Sequence, residues 1–133
     1  MSREIVQQID RAFANLIASL KDLAGSVPPD LLLRSAAVIE QTCGGLTANL
    51  WDDPFEWTLP ETLSSPDLIV EYLSEVDRAR LRAFSSIRDD SELSKFISDP
   101  NGERLLIGLL LETLVKAGDF RGRALAGATK EHK

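Results

Sequence analysis

Histidine and cysteine are nearly missing from this sequence, and their scarcity excludes several kinds of chemistry. The 133 residues include one cysteine and one histidine. Because Cys43 has no second cysteine to pair with, an intrachain disulfide and a metal site closed by cysteines are both excluded. His132 lies one residue from the end of the sequence, where a solvated side chain is the simplest interpretation. We therefore predict a protein without a bound metal or other cofactor.

Positive charge and long apolar runs are also scarce. The 15 Lys and Arg residues are outnumbered by 21 Asp and Glu, and the net charge of −6 disfavours nucleic acid or an anionic membrane as a partner. No apolar run approaches the ~18 residues of a membrane span, and residues 1–10 lack the apolar core of a signal peptide. The G-x-x-x-x-G-K pattern of phosphate-binding loops is absent too. Together with the lone cysteine, these features predict a cytoplasmic protein.

Apolar residues recur at three- and four-residue steps through most of the sequence, which predicts amphipathic helices. Ser2 is expected to cap the first helix, and Pro66 follows a serine at the start of the third. The first helix is predicted to bury Ile5, Ile9, Ala12, Phe13, Leu16, Leu20 and Leu23, and the third to bury Ile69, Tyr72, Leu73, Val76, Ala83, Phe84 and Ile87. The four predicted helices span about residues 2–25, 28–50, 66–87 and 103–128.

The segments between these helices carry the turn-forming residues. Residues 51–66 hold three prolines and both tryptophans, which predicts a long ordered connection between the second and third helices. Gly44 and Gly45 inside the second helix indicate the close approach of another backbone. Residues 91–97 predict a short helical turn, 99–102 a tight turn and 129–133 a frayed tail. The sequence therefore predicts one domain over residues 1–133, an all-α up-down four-helix bundle.

Three side chains lie on or beside the predicted apolar stripes and could carry chemistry. Arg80 falls in the middle of the third stripe, where it either extends to solvent or pairs with a carboxylate. Lys116 follows Glu112 by one helical turn, a spacing that fits an exposed ion pair. Cys43 lies on the second stripe, where a cysteine behaves as a small hydrophobic residue unless a nearby cation stabilises its thiolate.

Acidic residues are unevenly distributed along the chain. From Asp52 to Asp77 the sequence contains eight carboxylates and no Lys or Arg. Such a run is most simply a solvated face, and the alternative is a surface that contacts a basic partner or another subunit.

The fourth predicted helix resembles the last helix of the DinB/YfiT-like superfamily of four-helix bundles. The stretch concerned is LLLETLVKAGDFRGRALAGA, residues 109–128. In the family this helix ends in a His-x-x-His-His-Arg-Gly-Gln pattern, and Arg121 with Gly122 matches its Arg-Gly. The match then puts Lys116 where the first ligand histidine is expected, Asp119 and Phe120 at the paired histidines, and Arg123 at the glutamine.

Helix order, chain length and the long second connection extend the resemblance over nearly the whole chain. It implies a cytoplasmic, often dimeric bundle, whose usual members bind a metal and include proteins similar to thiol S-transferases and thiol-dependent isomerases. A further family histidine, on the second helix, has no counterpart between Ile39 and Trp51. We therefore predict a degenerate, metal-free homodimer that binds a small anionic or thiol ligand or acts as an interaction module. The alternatives are a thiol S-transferase or isomerase that uses Cys43, Arg80 and Lys116, and a dimeric structural adaptor.

A pocket between the second and fourth helices is where the resemblance implies a ligand. The side chains expected to line it are Glu40, Cys43, Arg80, Glu112, Lys116, Asp119 and Phe120. A lysine in place of a ligand histidine would need a partner, because an isolated buried ammonium is unstable. We therefore predict an ion pair that holds the helices in register or receives an anionic ligand, formed by Lys116 with one or two of Glu112, Glu40 and Asp119.

Overall fold

Helices make up most of the protein in the computed structural model, which describes residues 2–57, 63 and 65–131. None of the described helices is both long and apolar enough to span a membrane. The mostly helical class predicted from the sequence is confirmed, with four long helices and a small hairpin. In chain order the elements are α1 (Glu4–Leu23), α2 (Pro29–Ala48), α3 (Pro54–Trp57), α4 (Pro66–Ser85), the 3₁₀ helix η1 (Asp90–Ser94), β1 (Phe96–Asp99), β2 (Gly102–Leu105) and α5 (Leu106–Glu131).

One hydrophobic cluster is shared by the four long helices. α2 lies at its centre, because it packs against both α4 and α5, while α1 packs mainly against α4. α2 and α5 run in opposite directions, since Ser35 and Thr42 contact Ala117 and Thr113 in reversed order. The largest fully buried side chains are Phe13, Ile17, Leu20, Leu32, Leu33, Ile39, Leu73 and Leu110.

α4 has the apolar face that its sequence predicts. The Ser65 side chain accepts a hydrogen bond from the Leu68 backbone N–H at 3.3 Å, and Pro66 occupies the first turn, where its missing N–H costs nothing. Every residue of the predicted third stripe is buried: Ile69, Tyr72, Leu73, Val76, Ala83 and Phe84 in α4, and Ile87 just beyond it.

The buried face of α1 is rotated relative to the prediction. Val6 and Ile17 are fully buried, whereas Ile5 is 50% exposed and Ala12 is also exposed. The predicted cap is correct in part, because the Ser2 hydroxyl accepts a hydrogen bond from the Glu4 backbone N–H at 3.1 Å. The next two N–H groups, of residues 5 and 6, donate instead to the carboxylate of Asp90 at 3.1 and 2.9 Å. A carboxylate from η1 therefore fixes both the start of α1 and its rotation.

A β-hairpin replaces the end of the helical turn predicted over residues 91–97 and the start of the helix predicted from about residue 103. β1 and β2 pair antiparallel, with Phe96 opposite Leu105 and Asp99 opposite Gly102. The predicted turn over residues 99–102 is confirmed, and Gly102 supplies the positive φ of 117° that it needs. The short helical turn predicted over residues 91–97 is correct only for η1, and α5 begins at Leu106 rather than near residue 103. A strand of four residues is too short to be predicted from the alternation of apolar and polar residues.

Two further helix boundaries differ from the prediction. α2 ends at Ala48, before the predicted residue 50, because Asn49 adopts the left-handed conformation with φ 57°. α5 continues to Glu131, so its backbone is helical over residues 129–131, where a frayed tail was predicted. The beginning of the predicted long connection contains α3, while residues 58–62 and 64 of that connection and His132 lie outside the described residues.

Candidate functional site

The two larger cavities beside the C-terminal half of α2 are both lined by Gln41. The helix groove, of about 520 Å³, lies between α2, α4 and the segment that follows α2. Its lining includes the charged side chains of Glu40, Asp52, Glu75 and Arg82 and the apolar side chains of Leu50 and Ala79. The hairpin cavity, of about 380 Å³, lies between α2, α5 and the β1–β2 turn, and its charged side chains are Asp53, Asp99, Arg104, Glu112 and Lys116.

The outer wall of the helix groove is held by contacts between α2 and the residues that follow it. The ring of Trp51 lies so close to Gly45 that a Cβ there would be 2.2 Å from an indole carbon. The Gln41 side chain donates a hydrogen bond to the Trp51 carbonyl, and Arg34 pairs with Asp53 at 2.7 Å. The close approach predicted at the two glycines is therefore confirmed, although at Gly45 the neighbour is an aromatic ring. At the preceding glycine it is a backbone carbonyl oxygen.

Glu40 is half-buried in the wall that α2 contributes to the helix groove. Burial raises the pKa of its carboxyl group above the ordinary glutamate value; the Tyr72 hydroxyl partly opposes this rise, and the negative charge of Glu75 adds to it. Among the described residues, Glu40 forms no ion pair. Ionisation of this carboxyl group is therefore costly unless a cation lies close to it.

Tyr72 lies behind Glu40 in the core. Its hydroxyl oxygen is shielded from solvent and makes no hydrogen bond of ordinary geometry with the described groups, although it is near enough to Glu40 to affect both pKa values. Burial, and then the charge of Glu40, raise the pKa of the phenol far above its usual range. Tyr72 is therefore un-ionised at neutral pH and offers a neutral hydroxyl beside the groove.

Cys43 is a poor nucleophile in this structure. The residue is 2% exposed and belongs to the hydrophobic cluster. Burial raises the pKa of its thiol to about 12, and the opposing positive charge of Arg80 is too weak to cancel that effect. At neutral pH the side chain is a protonated, inaccessible thiol.

Arg80 is buried between α1 and α4. It pairs with Asp10 of α1 and, at 2.8 Å, with Asp77 of its own helix. Burial opposes its charge, but hydrogen bonds to Asp77 and Asp10 outweigh this and raise its pKa. Of the two interpretations open from the sequence, pairing is confirmed, with two carboxylates rather than one. The guanidinium therefore links two helices inside the protein.

Lys116 is exposed on α5 at the edge of the hairpin cavity, so the predicted buried ion pair is wrong. The reason is the phase of the helix. The buried side of α5 passes through Thr113 and Ala117, which leaves position 116 on a flank that meets solvent. The two carboxylates predicted as partners on the same helix are bound to other residues: Glu112 binds Arg104, and Asp119 pairs with Arg123 at 3.0 Å.

Packed polar groups close the centre of the interface between α2 and α5, so the cavity found between these helices, where a ligand pocket was expected, is the hairpin cavity at their edge. The hydroxyl groups of Thr42 and Thr113 share a hydrogen bond of 2.7 Å, and Ser35 donates to the Ala117 carbonyl at 2.7 Å. All four residues are buried. The predicted pocket residues are consequently divided: Glu40 lines the helix groove, and Glu112 and Lys116 line the hairpin cavity. Cys43 and Arg80 are buried, and Asp119 and Phe120 lie elsewhere on α5.

The positions that match the family's metal ligands on the last helix do not suit a metal here. Lys116 is a cation and Phe120 has no donor atom, which leaves Asp119 as a single carboxylate. Phe120 instead lies under the guanidinium of Arg123, 5.8 Å from its ring centre. Among the described residues, no group of three or more His, Cys, Asp and Glu is placed to hold a metal ion. No metal-dependent step can be built on these side chains.

Three charged residues of the helix groove were missed in the sequence: Asp52, Glu75 and Arg82. A signal for the two acids was present, because both belong to the run of eight carboxylates that lacks Lys and Arg. The sequence could not show that α2 brings Glu40 to the same place, since that depends on how α2 and α4 pack.

No family model, curated protein or solved structure matches this chain. The resemblance to the DinB/YfiT-like superfamily therefore stays a prediction, and the function has to be argued from the site itself.

Proposed function

We propose that this protein is a metal-free binding domain of the DinB/YfiT-like type, an up-down four-helix bundle that works as a cytoplasmic homodimer. We further propose that its ligand is a small organic cation bound in the helix groove. The support for a binding role is a cavity of about 520 Å³, large enough for a small molecule, with a wall fixed by Trp51 and Asp53.

The choice of a cation rests on Glu40, which forms no ion pair with the residues that the structure describes. Glu40, Glu75 and Asp52 contribute three negative charges to the groove, against one positive charge from Arg82. Because burial and Glu75 both oppose ionisation of Glu40, a bound ammonium would relieve a cost that the folded protein already bears.

The remaining surfaces of the groove suit the apolar part of such a ligand. Leu50, which is 61% exposed, lines the groove together with Ala79 and Pro54. An alkyl or aryl group would cover these side chains while its ammonium meets Glu40. The Tyr72 hydroxyl, which is near enough to Glu40 to lower its pKa, then orients the carboxylate from behind.

The anionic or thiol ligand expected from the sequence fits the structure less well. Its natural place is the hairpin cavity, where Arg104 and Lys116 are the cations. Arg104 is already bound to Asp99 and Glu112, so an anion would have to compete with both carboxylates. The thiol S-transferase or isomerase alternative loses its nucleophile, because the pKa of the buried Cys43 is about 12.

A matched pair of probes tests this function. Benzylammonium and phenylacetate have similar apolar parts and opposite charges, and each is titrated into isotopically labelled protein while backbone amide NMR shifts are recorded. Benzylammonium is expected to shift amides of residues 40–54 and 75–82, and phenylacetate to leave them in place. Glu40→Gln should weaken benzylammonium binding about tenfold, the equivalent of about 1.4 kcal/mol.

The control for this variant is Glu71→Gln, which removes the same charge from an exposed position of α4 outside the groove. It should bind benzylammonium as the unmodified protein does. Equal binding of phenylacetate at the groove, or unchanged affinity in Glu40→Gln, would contradict the proposal.

A further inference from the structure

The outward side of α5 is apolar where a surface helix normally carries charge. We define its outer face as Gly108, Leu111, Val115, Gly118 and Gly122, which follow one another at three- and four-residue steps along one side of the helix. Leu111 is 47% exposed and Val115 is 73% exposed. None of the five carries a polar side chain, although the opposite side of α5 already supplies the core.

The glycines of this face leave room beside its two large side chains. A Cβ added at Gly118 or Gly122 would have no other atom within 4 Å, so open space lies above both positions. Glycine is a poor helix former, and two of them in the middle of α5 cost about 1 kcal/mol each relative to alanine. Their use here is explained if another backbone or side chain comes close.

One border of the outer face carries charges in an alternating order. Glu112, Lys116, Asp119 and Arg123 follow one another along the helix with signs minus, plus, minus and plus. Read from Arg123 back to Glu112, the signs are plus, minus, plus and minus, which is the opposite of the forward order at every position. A helix with this border is therefore complementary to an antiparallel copy of itself.

We propose that the outer face of α5 is a homodimer interface, in which α5 helices of two copies pack antiparallel across a two-fold axis. Leu111 of one copy then lies over Gly122 of the other, and Val115 lies over Gly118. Both contacts keep one register, because a step of four residues up one helix matches a step of four down the other. In that register Glu112 meets Arg123 and Lys116 meets Asp119, on the same side of the helix pair. These contacts add to or replace the pairs within one copy, in which Glu112 binds Arg104 and Asp119 binds Arg123.

The proposal names the surface used by the homodimer suggested above and rests on that homodimer, but not on the ligand of the helix groove. A second copy is favoured over an unrelated partner because the large residues, the gaps and the charges all complement each other within a single helix. A single helix pair buries less than the ~1,600 Å² of a standard interface, so we expect a dimer that dissociates on dilution.

Sedimentation velocity over a range of concentrations tests the interface with Val115→Lys. The unmodified protein should change from monomer to dimer as its concentration rises, and Val115→Lys should shift the midpoint to at least tenfold higher concentration. Since Val115 is 73% exposed, the variant should fold normally, which its circular dichroism and unfolding curve will check. Leu81→Lys is the matched control, because Leu81 is a 49% exposed apolar residue on α4, and it should dimerise normally.

A charge exchange tests the antiparallel register. Lys116→Glu alone, or Asp119→Lys alone, should weaken the dimer by placing like charges opposite each other. The double variant Lys116→Glu with Asp119→Lys should recover most of the affinity, because the exchanged pairs attract again. A dimer that persists unchanged in Val115→Lys would overturn this interface while keeping the homodimer, and a monomer at every concentration would overturn both. Benzylammonium binding, measured on the same samples, reports the groove independently.

Discussion

A charged side chain lies on each side of α4, and the two have opposite surroundings. On the side that meets α1, Arg80 is 8% exposed and has two carboxylates, one from each helix. On the side that meets α2, Glu40 is half-buried beside a second acid and a neutral hydroxyl, and forms no ion pair among the described residues. A charge that serves the fold has its partners inside the protein. A charge left without one indicates a partner that comes from outside.

Removing Arg80 should have the largest effect on stability. Arg80→Met keeps much of the side-chain volume but leaves Asp10 and Asp77 without their cation. These carboxylates are 28% and 34% exposed, so water can solvate them in part. We expect the free energy of unfolding to fall by about 2–3 kcal/mol, somewhat less than for a fully buried pair. Urea unfolding followed by circular dichroism measures it.

The control is Arg78→Met on the exposed side of the same helix, which should change stability by less than about 0.5 kcal/mol. If Arg80→Met were as stable as this control, the ion pairs would not be the feature that joins α1 to α4. Benzylammonium binding should survive in Arg80→Met at temperatures where the variant is folded, because Arg80 does not line the groove.

Crowding the groove wall should have an intermediate effect. In Gly45→Ala the new methyl group would overlap the ring of Trp51, which must move. We expect a loss of about 1–2 kcal/mol, because overpacking outweighs the gain in helix propensity. Benzylammonium affinity should fall as well, since Trp51 helps to hold the groove wall.

Gly127→Ala makes the same chemical change in α5, outside the outer face, where the new methyl group would meet nothing within 4 Å beyond the helix's own neighbouring backbone. It should raise stability by about 0.5–1 kcal/mol. Unfolding curves of the two variants, with tryptophan fluorescence for the environment of Trp51, provide the comparison. A stabilised Gly45→Ala with unchanged fluorescence would show that the contact with Trp51 does not constrain the wall.

Removing the charge of Glu40 should have the smallest effect, and the opposite sign. The pKa of Glu40 is raised on folding, so its contribution to stability is fully present below the unfolded pKa and is lost as pH rises through the folded pKa. Glutamine does not titrate. Glu40→Gln should therefore be more stable than the unmodified protein at neutral pH, by about 0.5–1 kcal/mol, and this gain should disappear at acidic pH.

Unfolding midpoints measured from acidic to neutral pH check this prediction, with Glu71→Gln as the control for a charge removed from an exposed site. A loss of stability in Glu40→Gln at neutral pH would mean that the carboxylate has a structural partner after all. In that case the comparison between the two sides of α4 would fail.

The sequence predicted the helices better than it predicted their faces. The stripe of α4 was correct because most of its apolar residues fall on one side of the helix, although Leu68, Val70 and Leu81 are exposed. α1 offered two overlapping stripes, one through Ile5 and one through Val6, and the choice depends on Asp90, which is distant in the sequence. Short-range periodicity contains no information about such a contact.

The candidate site was predicted less well, for the same physical reason. Arg80 was correctly singled out, since a charge in an apolar stripe is visible in the sequence. Lys116 was assigned to the wrong side of α5, because a position on the flank of a stripe can face either way. The helix groove itself could not be predicted, because it exists only where Glu40, Glu75 and the turn after α2 meet.

The most direct test of the central claim is the titration of Glu40 itself, followed by the ¹³C shift of its side-chain carboxyl group as pH is varied. We predict a midpoint above that of the exposed glutamates, which falls when benzylammonium is added and does not fall with phenylacetate. An ordinary glutamate midpoint that neither probe moves would contradict the claim that Glu40 is kept for a cationic ligand.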